Sequence, residues 1–259
     1  MTAQKKTITV QVGCHSEWLA LERALNLRQR LTSHSLGPFS EYHHTTLKGV
    51  DLILFQGGPS KTVAGAACQH ALVIHKPDLH LMLGTCGGVS GNPGIGGLMF
   101  AARAAQYDCI DRLCQSSAFF YGSFDVHIDN TWIENTLERR GLFGGMIATA
   151  DQDIDFGVRT ALTAHGADVA DWESAAVALV CHHNRVPVLL IRGVSDIPDE
   201  TLTQVEQADS FVSTTPAIMN ALAELLPLIA EQLALQSPEP NTSIPLQLDK
   251  ASATSICHW

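Results

Sequence analysis

The sequence is poor in positive charge and contains no run of Lys and Arg. Its 259 residues include 16 Lys and Arg against 26 Asp and Glu, so the formal net charge at pH 7 is −10. A chain with this balance repels a phosphate backbone, so we do not expect nucleic acid as a partner.

The cysteines lack the spacing of a zinc site or of a disulfide framework. There are seven, an odd number, scattered along the chain without a Cys-x-x-Cys pair. This distribution indicates a reducing compartment and implies no bound metal. Cys-His dipeptides occur at residues 14–15, 181–182 and 257–258. We interpret them as coincidence, because adjacent residues seldom ligate one ion together.

Long apolar runs are missing as well. No run approaches the roughly 18 residues of a membrane span. Residues 1–7 are polar, unlike the apolar core of a signal peptide. We therefore expect a soluble, cytoplasmic protein with no membrane partner. One α/β domain is predicted over residues 1–235, and residues 236–259 predict a tail that is flexible or packed on a neighbouring molecule.

The sequence does contain a regular alternation of strand-length apolar runs with segments of helical spacing. This alternation predicts a three-layer α/β sandwich, in which helices cover both faces of a central mixed, mostly parallel sheet. Pro216 and Pro227 are expected to divide the last helix. Strands are predicted at residues 8–13, 50–55, 79–84, 98–104, 145–149, 167–171 and 186–194. Helices are predicted at residues 17–31, 61–75, 154–165, 173–184 and 210–235.

Three acidic residues follow predicted strands. Asp196 ends the motif Gly193-Val194-Ser195-Asp196, and Glu17 and Glu173 follow two other strands. Open α/β sheets place their chemistry at strand ends that face a crevice, which makes these acids candidate functional residues. The alternative for each is a helix cap or a surface salt bridge. Glu173, for example, starts a predicted helix, where a carboxylate is favoured electrostatically.

A glycine-rich segment, Gly84-Thr85-Cys86-Gly87-Gly88, lies at the end of the third predicted strand. Glycines here let backbone N–H groups approach a ligand closely, and Thr85 adds a hydroxyl group. The segment matches neither the dinucleotide-binding Gly-x-Gly-x-x-Gly motif nor the P-loop motif. The spacing alone leaves open a phosphate cradle, a sugar site and a plain tight turn.

Five motifs follow one another along the chain: Gly57-Gly58-Pro59-Ser60-Lys61, Gly84-Thr85-Cys86-Gly87-Gly88, Thr149-Ala150-Asp151, Asp171-Trp172-Glu173-Ser174-Ala175-Ala176 and Arg192-Gly193-Val194-Ser195-Asp196. Together they resemble the nucleoside phosphorylase/nucleosidase superfamily, and within it the 5′-methylthioadenosine/S-adenosylhomocysteine nucleosidases, including plant-type members. The similarity runs from about residue 8 to residue 235. It implies a nucleoside phosphorylase/hydrolase-like fold, cleavage of the N-glycosidic bond of a purine nucleoside, a homodimer and no cofactor.

The resemblance implies a role for each candidate acid. Asp196 takes the position that faces the purine near N7, Glu17 that of the water-activating glutamate, and Glu173 that of the residue binding the ribose hydroxyls. Trp172 stands where the family usually has a methionine against the ribose. Ser195 supports the loop of Asp196.

Further substrate contacts are implied by the same resemblance. The 5′ substituent is expected to meet apolar side chains of Cys14, Pro59 and Phe211. A partner subunit is expected to contribute from around Phe119-Phe120-Tyr121, although these aromatics are equally compatible with a core position. The remaining predicted nucleoside contacts are Thr85, Gly87, Gln152 and Ile154.

Three separated acids suit the cleavage of a purine N-glycosidic bond. The reaction develops positive charge on the sugar and negative charge on the base, so carboxylates near the ribose and an acid near N7 stabilise its transition state. Water as nucleophile needs a general base. An Asp with a pKa of about 3.9 is protonated about once in 10³ molecules at pH 7, which costs roughly 4 kcal/mol. Asp196 therefore requires a dry pocket that raises its pKa.

The nucleophile is predicted from the positions that a phosphorylase uses to hold phosphate. In the nucleoside phosphorylases of the superfamily, one arginine follows the first glycine loop and another precedes the second, and both suit a doubly charged anion. Here Glu17 occupies the position of the first arginine. The second arginine is missing too, because the residues before Gly84 are Leu81-Met82-Leu83. A carboxylate repels phosphate but activates water, which favours hydrolysis.

The base and the type of activity stay open at this point. Asp153 stands where adenine-specific nucleosidases often place an aromatic over the base. The leading hypothesis is a nucleosidase for 5′-thio-substituted adenosines. The others are a nucleosidase or phosphorylase for futalosine, inosine or adenosine, and a non-catalytic nucleoside-binding protein. Retention of Glu17, Glu173 and Asp196 favours catalysis, because binding alone needs no acid and water base on opposite sides of a sugar.

Overall fold

The computed structural model describes residues 5–27, 32–109 and 124–236. Three sequence predictions concern residues outside these ranges: the partner contact around residues 119–121, the end of the first helix at residues 28–31 and the tail beyond residue 236. These three stay predictions.

The described residues form ten strands and six helices, and the helix predicted at residues 61–75 has those bounds. Most other predicted elements are present with ends that differ by a few residues. The strands are β1 Thr7–Val12, β2 Ser33–Ser35, β3 Glu41–Leu47, β4 Val50–Gln56, β5 Leu79–Gly88, β6 Leu98–Gln106, β7 Asp125–His127, β8 Phe143–Thr149, β9 Val169–Asp171 and β10 Val188–Asp196. The helices are α1 His15–Leu25, α2 Lys61–His75, α3 Glu134–Glu138, α4 Phe156–Ala164, α5 Ser174–Asn184 and α6 Gln204–Leu235.

The ten strands belong to one sheet, in the order β10-β6-β8-β9-β5-β1-β4-β3-β2, with β7 paired to β6. β1 pairs in parallel with β4 and β5, and β10 pairs in parallel with β5. Because β10 also pairs with β6, the strands β5, β10, β6, β8 and β9 form a closed ring. The predicted mixed sheet is confirmed, whereas its partial closure is a finding of the structure.

Alternating side chains of the central strands enter two hydrophobic cores, one on each face of the sheet. In β5, Leu81 and Leu83 belong to the core covered by α1 and α6, whereas Met82 belongs to the core beneath α2 and α5. Successive side chains of a strand point to opposite faces, so a strand that is apolar at nearly every position is buried on both. Two helix layers around one sheet give the predicted three-layer sandwich.

The prediction that Pro216 and Pro227 divide the last helix is wrong. α6 is one helix of 32 residues with both prolines inside it. Each proline removes a backbone hydrogen bond at a cost of about 3 kcal/mol. Burial of apolar side chains such as Met219 and Leu222, both fully enclosed, offsets this cost. By length and composition α6 could also cross a membrane, but half of its apolar stretch is buried and the helix packs on α1 and β10, as a core helix does.

β2 and β3 were not expected from the hydrophobic pattern. β3 reads Glu-Tyr-His-His-Thr-Thr-Leu and buries only His43 fully, yet it pairs with β4 in antiparallel orientation from Tyr42 to Leu47. The neighbouring strand, rather than the periodicity of its own residues, makes this segment a strand.

Candidate active site

The carboxyl ends of β1, β5, β9 and β10 border one cavity of about 530 Å³. β1, β5 and β10 are parallel neighbours and end at the same edge of the sheet, whereas β9 pairs antiparallel with β5 and meets the cavity where Ala170 lies opposite Gly87. The described residues to which the sequence analysis assigns a catalytic or substrate-binding role all line this cavity. They are Cys14, Glu17, Pro59, Thr85, Gly87, Gln152, Ile154, Trp172, Glu173, Ser195, Asp196 and Phe211.

Asp196 is the last residue of β10 and is 8% exposed. The pairing of β10 with β5 shifts register next to it, a bulge of the kind that redirects a side chain at a strand end. Its Oδ1 accepts a hydrogen bond from Ser195 Oγ at 2.6 Å, and its Oδ2 accepts one from Gln207 Nε2 at 2.8 Å. Burial raises the pKa of Asp196, although both hydrogen bonds lower it. A raised pKa is the direction that an acid catalyst at neutral pH needs.

Glu17 lies in the first turn of α1, where its Oε2 accepts a hydrogen bond from the N–H of the N-cap residue Cys14 at 2.9 Å. Its Oε1 accepts two more, from the backbone N–H of Thr85 at 2.6 Å and from the Thr85 hydroxyl at 2.7 Å. The side chain therefore does cap a helix, as the alternative interpretation held. The same three donors also hold the carboxylate at the cavity wall.

Glu173 is the N-cap residue of α5 and is 8% exposed. Its Oε1 accepts a hydrogen bond from Ser60 N–H at 3.3 Å, and its Oε2 lies 3.5 Å from Arg192 Nη2. Burial, together with the carboxylates of Asp171 and Glu17, raises the pKa of Glu173 to about 8, although Arg192 lowers it. A carboxyl group that is mainly protonated at pH 7 can both donate to and accept from a sugar hydroxyl.

The raised pKa of Glu173 predicts that the protein loses stability as the pH rises. The ordinary pKa is 4.5 and the folded value about 8, so between these pH values the folded state keeps a proton that the unfolded state has released. The free energy of unfolding therefore falls with increasing pH in this window. Glu173→Gln removes this titration. We expect the variant to be more stable than the wild type at about pH 9, by up to roughly 5 kcal/mol.

Thermal unfolding across this pH range tests the expectation. The control is Glu138→Gln, which changes an exposed glutamate at the end of α3 and should follow the wild-type profile. Parallel stability profiles of the wild type and Glu173→Gln would contradict the raised pKa.

A sequence profile described as the phosphorylase superfamily matches residues 8–230, a range that contains every residue of the cavity wall described above. The chain belongs to the phosphorylase superfamily. This confirms the resemblance that the five motifs indicate.

Several superfamily members can be compared directly with the chain. The 5′-methylthioadenosine/S-adenosylhomocysteine nucleosidase of Shewanella oneidensis is 29% identical over 168 residues, which are 60% of this chain and 71% of that protein. The crystal structure of the Helicobacter pylori 5′-methylthioadenosine/S-adenosyl homocysteine nucleosidase superposes with a TM-score of 0.74 at 18% identity, covering 88% of this chain and 99% of the other. The futalosine hydrolase of Helicobacter pylori also gives 0.74 at 18% identity, covering 90% and 100%. At these identities the structural similarity establishes the fold.

One arginine lies close to the site, and its position bears on whether phosphate or water is the nucleophile. Arg192, in the middle of β10, is fully buried and is not part of the cavity wall. Its Nη2 lies 2.7 Å from Asp171 Oδ2, and its Nε donates to Ser174 Oγ at 3.0 Å. The guanidinium is thus an internal counter-ion for the acids of the site. Sequence reasoning missed this role, although a charge among the apolar residues 188–194 of β10 was a signal for it.

The cavity wall is strongly acidic. Among its described residues, six carry carboxyl groups and none is Arg or Lys. A phosphate ion with nearly two negative charges would meet repulsion here without a cation to hold it. The six acids are Glu17, Asp153, Asp155, Asp171, Glu173 and Asp196.

Gly84 allows Arg192 and Glu17 to lie side by side. A Cβ atom at this position would overlap Arg192 Nη1 and lie 2.9 Å from Glu17 Oε1. We expect Gly84→Ala to destabilise the protein by about 1–3 kcal/mol and to lower turnover by displacing Glu17. Thermal unfolding and steady-state kinetics measure both effects. The control is Gly94→Ala, since a Cβ there meets nothing within 4 Å; equal losses of stability in the two variants would contradict this packing.

The part of the cavity wall predicted to meet the 5′ substituent carries little charge. Burial, followed by the charge of Glu17, raises the pKa of Cys14 to about 11, so its thiol is neutral at pH 7. Pro59 and Phe211 complete this group, and Trp172 lines the cavity with 38% of its surface exposed. A neutral thiol and carbon surfaces suit an apolar or thioether group better than a charged one.

Seven further residues line the cavity, and of these the sequence analysis considered only Asp153, at the position over the base. Gln207 and Ala208 were missed because α6 begins before the predicted residue 210. A capping box starts this helix: Thr203 Oγ1 accepts from Glu206 N–H, and the Glu206 carboxylate accepts from Thr203 N–H. The Thr-x-x-Glu pattern at residues 203–206 was the available signal. The seven residues are Cys86, Asp153, Asp155, Ala170, Asp171, Gln207 and Ala208.

One group of buried side chains in the described part of the chain has the composition of a metal site. The ligand atoms of Cys68, His80 and Cys181 lie within 4.8 Å of one another, and the two sulfur atoms are 3.7 Å apart. None of the three lines the cavity. The expectation that the protein needs no metal stays a prediction.

Proposed function

We propose that the protein is a purine nucleosidase that hydrolyses the N-glycosidic bond of 5′-methylthioadenosine or S-adenosylhomocysteine and releases adenine and the ribose moiety. One observation carries this proposal: Glu17, Glu173 and Asp196 converge on a single cavity whose described wall contains no Arg or Lys. Such a site offers acid and base groups for the reaction and no cation for a phosphate ion.

Asp196 is the acid in this mechanism. It transfers its proton to N7 of the base while the bond between C1′ and N9 breaks, so that the base leaves without a negative charge. The raised pKa of Asp196 supports this role, because it increases the protonated fraction at neutral pH. Ser195 and Gln207 orient the carboxyl group, each through one of its two oxygens.

Glu17 and Glu173 act on the sugar. C1′ gains positive charge as its bond to the base breaks, and the Glu17 carboxylate stabilises that charge. Glu17 then takes a proton from a water molecule whose oxygen forms the new bond to C1′. The Thr85 hydroxyl fixes the carboxylate for this step. Glu173 holds the ribose hydroxyls and thereby places C1′ between the base and the water.

Phosphorolysis and simple nucleoside binding are the rival activities. Arg192 lies next to Glu17 on the other side of Gly84, but it is fully buried and paired with Asp171. This burial favours an internal ion pair over phosphate binding. A binding protein would gain nothing from a buried acid with a raised pKa opposite a positioned carboxylate.

The 5′-thio substituent is supported by two independent observations. The named relative from Shewanella oneidensis is a nucleosidase for substrates of this type. The wall formed by Cys14, Pro59 and Phe211 is free of formal charge and suits a thioether.

The homodimer and the cytoplasmic location belong to the same proposal. Large apolar side chains are exposed beside the cavity: Trp172 in its wall is 38% exposed, and Phe156 and Val212, each next to a wall residue in the sequence, are 43% and 64% exposed. A second subunit covering this rim would exclude water from the cavity. The molar mass in solution, measured by light scattering, tests the dimer; a monomer at working concentration would exclude it.

Product analysis tests the proposed activity. The protein is incubated with methylthioadenosine, S-adenosylhomocysteine, adenosine, inosine and futalosine, with and without phosphate. We expect a free base and a free sugar in both conditions, with the fastest release from the 5′-thio-substituted adenosines. Sugar 1-phosphate formed only with phosphate would show phosphorolysis, and bound but intact nucleosides would show a binding protein.

A further inference from the structure

Three potential metal ligands lie together between the sheet and one of its helix layers, away from the cavity. Cys68 belongs to α2, His80 to β5 and Cys181 to α5, and all three side chains are fully buried. His80 and Met82 are two residues apart in β5, so both point to the face that α2 and α5 cover. Two sulfur atoms and a ring nitrogen thus come within 4.8 Å of one another. We call these three ligands the Cys-His-Cys cluster.

The spacing of the two sulfur atoms is close to that of two thiolates on one ion. Cys68 Sγ and Cys181 Sγ are 3.7 Å apart. Two sulfurs that each lie about 2.3 Å from a metal ion, at an angle of about 109–120°, are separated by about 3.8–4.0 Å. A disulfide would instead have an S–S distance of about 2.05 Å. The cluster therefore needs only a small adjustment to hold an ion between its sulfurs.

The ring of His80 provides a second, independent observation that points to a ligand. Its Nδ1 lies 2.9 Å from the hydroxyl oxygen of Thr9, and both side chains are buried. When Nδ1–H donates to Thr9, the lone pair of Nε2 is free, and Nε2 is buried without a hydrogen-bond partner. Leaving a buried acceptor unpaired costs free energy, and a bond to a metal removes that cost. Metal-ligating histidines commonly donate their other N–H to an oxygen in this way.

We propose that the Cys-His-Cys cluster binds one thiophilic d¹⁰ metal ion, with a preference for Cu(I) over Zn²⁺. Thiolate and imidazole ligands select ions of this class. Structural Zn²⁺ sites in proteins have four ligands. The cluster supplies three, each fully buried, and this number suits Cu(I). If one thiol loses its proton on binding, a monovalent ion leaves the buried cluster without net charge.

Local spacing does not reveal this site, because its ligands are far apart along the chain. The inference is independent of the proposed function, since none of the three ligands lines the cavity.

An ion in the cluster would connect the two helices that hold Glu173. Ser60, the N-cap residue of α2, donates its N–H to Glu173 Oε1, and Glu173 is itself the N-cap residue of α5. Cys68 and Cys181 lie further along the same two helices. Because the three ligands are brought together only in the folded chain, the ion binds the folded state more tightly than the unfolded state and stabilises it.

Metal content tests the proposal. The full chain is purified from cells grown with added copper or zinc, and a metal-free sample is incubated anaerobically with Cu(I) or with Zn²⁺. Elemental mass spectrometry should find one copper ion per chain. Cys68→Ala and Cys181→Ala should each lower the affinity at least about 100-fold, and Thr9→Val, which removes only the partner of Nδ1, roughly 10- to 100-fold. The control Cys86→Ala removes a buried thiol outside the cluster and should keep one ion.

Measurements on the wild type decide the question if the variants fail to fold. Cu(I) at about 100 times its Kd should raise the Tm by roughly 5–10 °C, and the bound ion should show the ultraviolet charge-transfer absorption of a Cu(I)–thiolate bond. Zn²⁺ bound in place of copper would keep the site and refute the preference. Equal metal content in the wild type and Cys68→Ala, or a wild type that binds neither ion, would overturn the proposal. Thiol titration of the purified, denatured protein would then separate a disulfide, with two thiols missing, from two thiols that share a hydrogen bond.

Discussion

Replacing Asp196 with Asn should lower kcat by roughly 10³–10⁴-fold, while binding of the nucleoside stays measurable. Asn has nearly the same shape and can still accept from Ser195, but it has no acidic proton for N7. The base would then leave with an uncompensated negative charge. Since the acid is needed only as the bond breaks, the loss should appear in kcat rather than in ground-state affinity.

The acid role also predicts a pH dependence. Because burial raises the pKa of Asp196, the protonated fraction stays larger at neutral pH than for an ordinary Asp, and kcat/KM should fall as the pH rises through that raised value. The control is Asp199→Asn, which changes an exposed residue in the same loop whose carboxylate accepts from Thr201, and it should keep the wild-type rate. Turnover by Asp196→Asn at the wild-type rate would remove Asp196 from the chemistry.

Replacing Glu17 with Gln should slow hydrolysis by roughly 10²–10⁴-fold. The amide cannot take a proton from water and does not stabilise the positive charge at C1′. It would also place an NH₂ group among donors, because the carboxylate accepts from Cys14 N–H and from both donors of Thr85. A modest loss of stability, about 1–2 kcal/mol, is therefore expected beside the loss of rate.

Two measurements separate these effects. Glu22→Gln changes another buried acid of α1, one that pairs with His43 outside the cavity, and should keep kcat. If Glu17 is the water base, folded Glu17→Gln should be slow at every pH, since no titration restores it. Full activity of the folded variant would assign water activation to another group and leave Glu17 as a helix cap only.

Local patterns were sufficient to predict much of the fold. The apolar runs of β1, β4, β5 and β10 and the helical spacing of α2 are properties of neighbouring residues, and these elements are present. Glu17 and Asp196 could be predicted to meet, because β1 and β10 both run parallel to β5 and end at one edge of the sheet. Glu173 follows β9, which pairs antiparallel with β5, so the parallel-strand rule does not account for its place beside them. β3 could not be predicted in this way, since its polar sequence becomes a strand only by pairing with β4.

The errors at α6 have one physical origin. A proline inside a helix is unfavourable locally, so the sequence predicts a break at Pro216 and Pro227, yet the burial of one continuous apolar face outweighs that cost. The early start of the same helix places Gln207 against Asp196. A wrong boundary therefore hid a residue of the site.

The sequence by itself determined the fold class, the superfamily and the position of Glu17, Glu173 and Asp196 at strand ends, because periodicity and motif order depend on residues close together in the chain. Only the tertiary structure decided whether each acid keeps its proton at neutral pH and which groups the acid contacts. The pKa of Glu173 and the ion pair of Arg192 depend on how much water distant segments exclude and on charges brought within a few ångströms. The burial of a side chain and its distance to charges from other segments depend on the packing of the whole molecule, so they cannot be read from a local stretch of sequence.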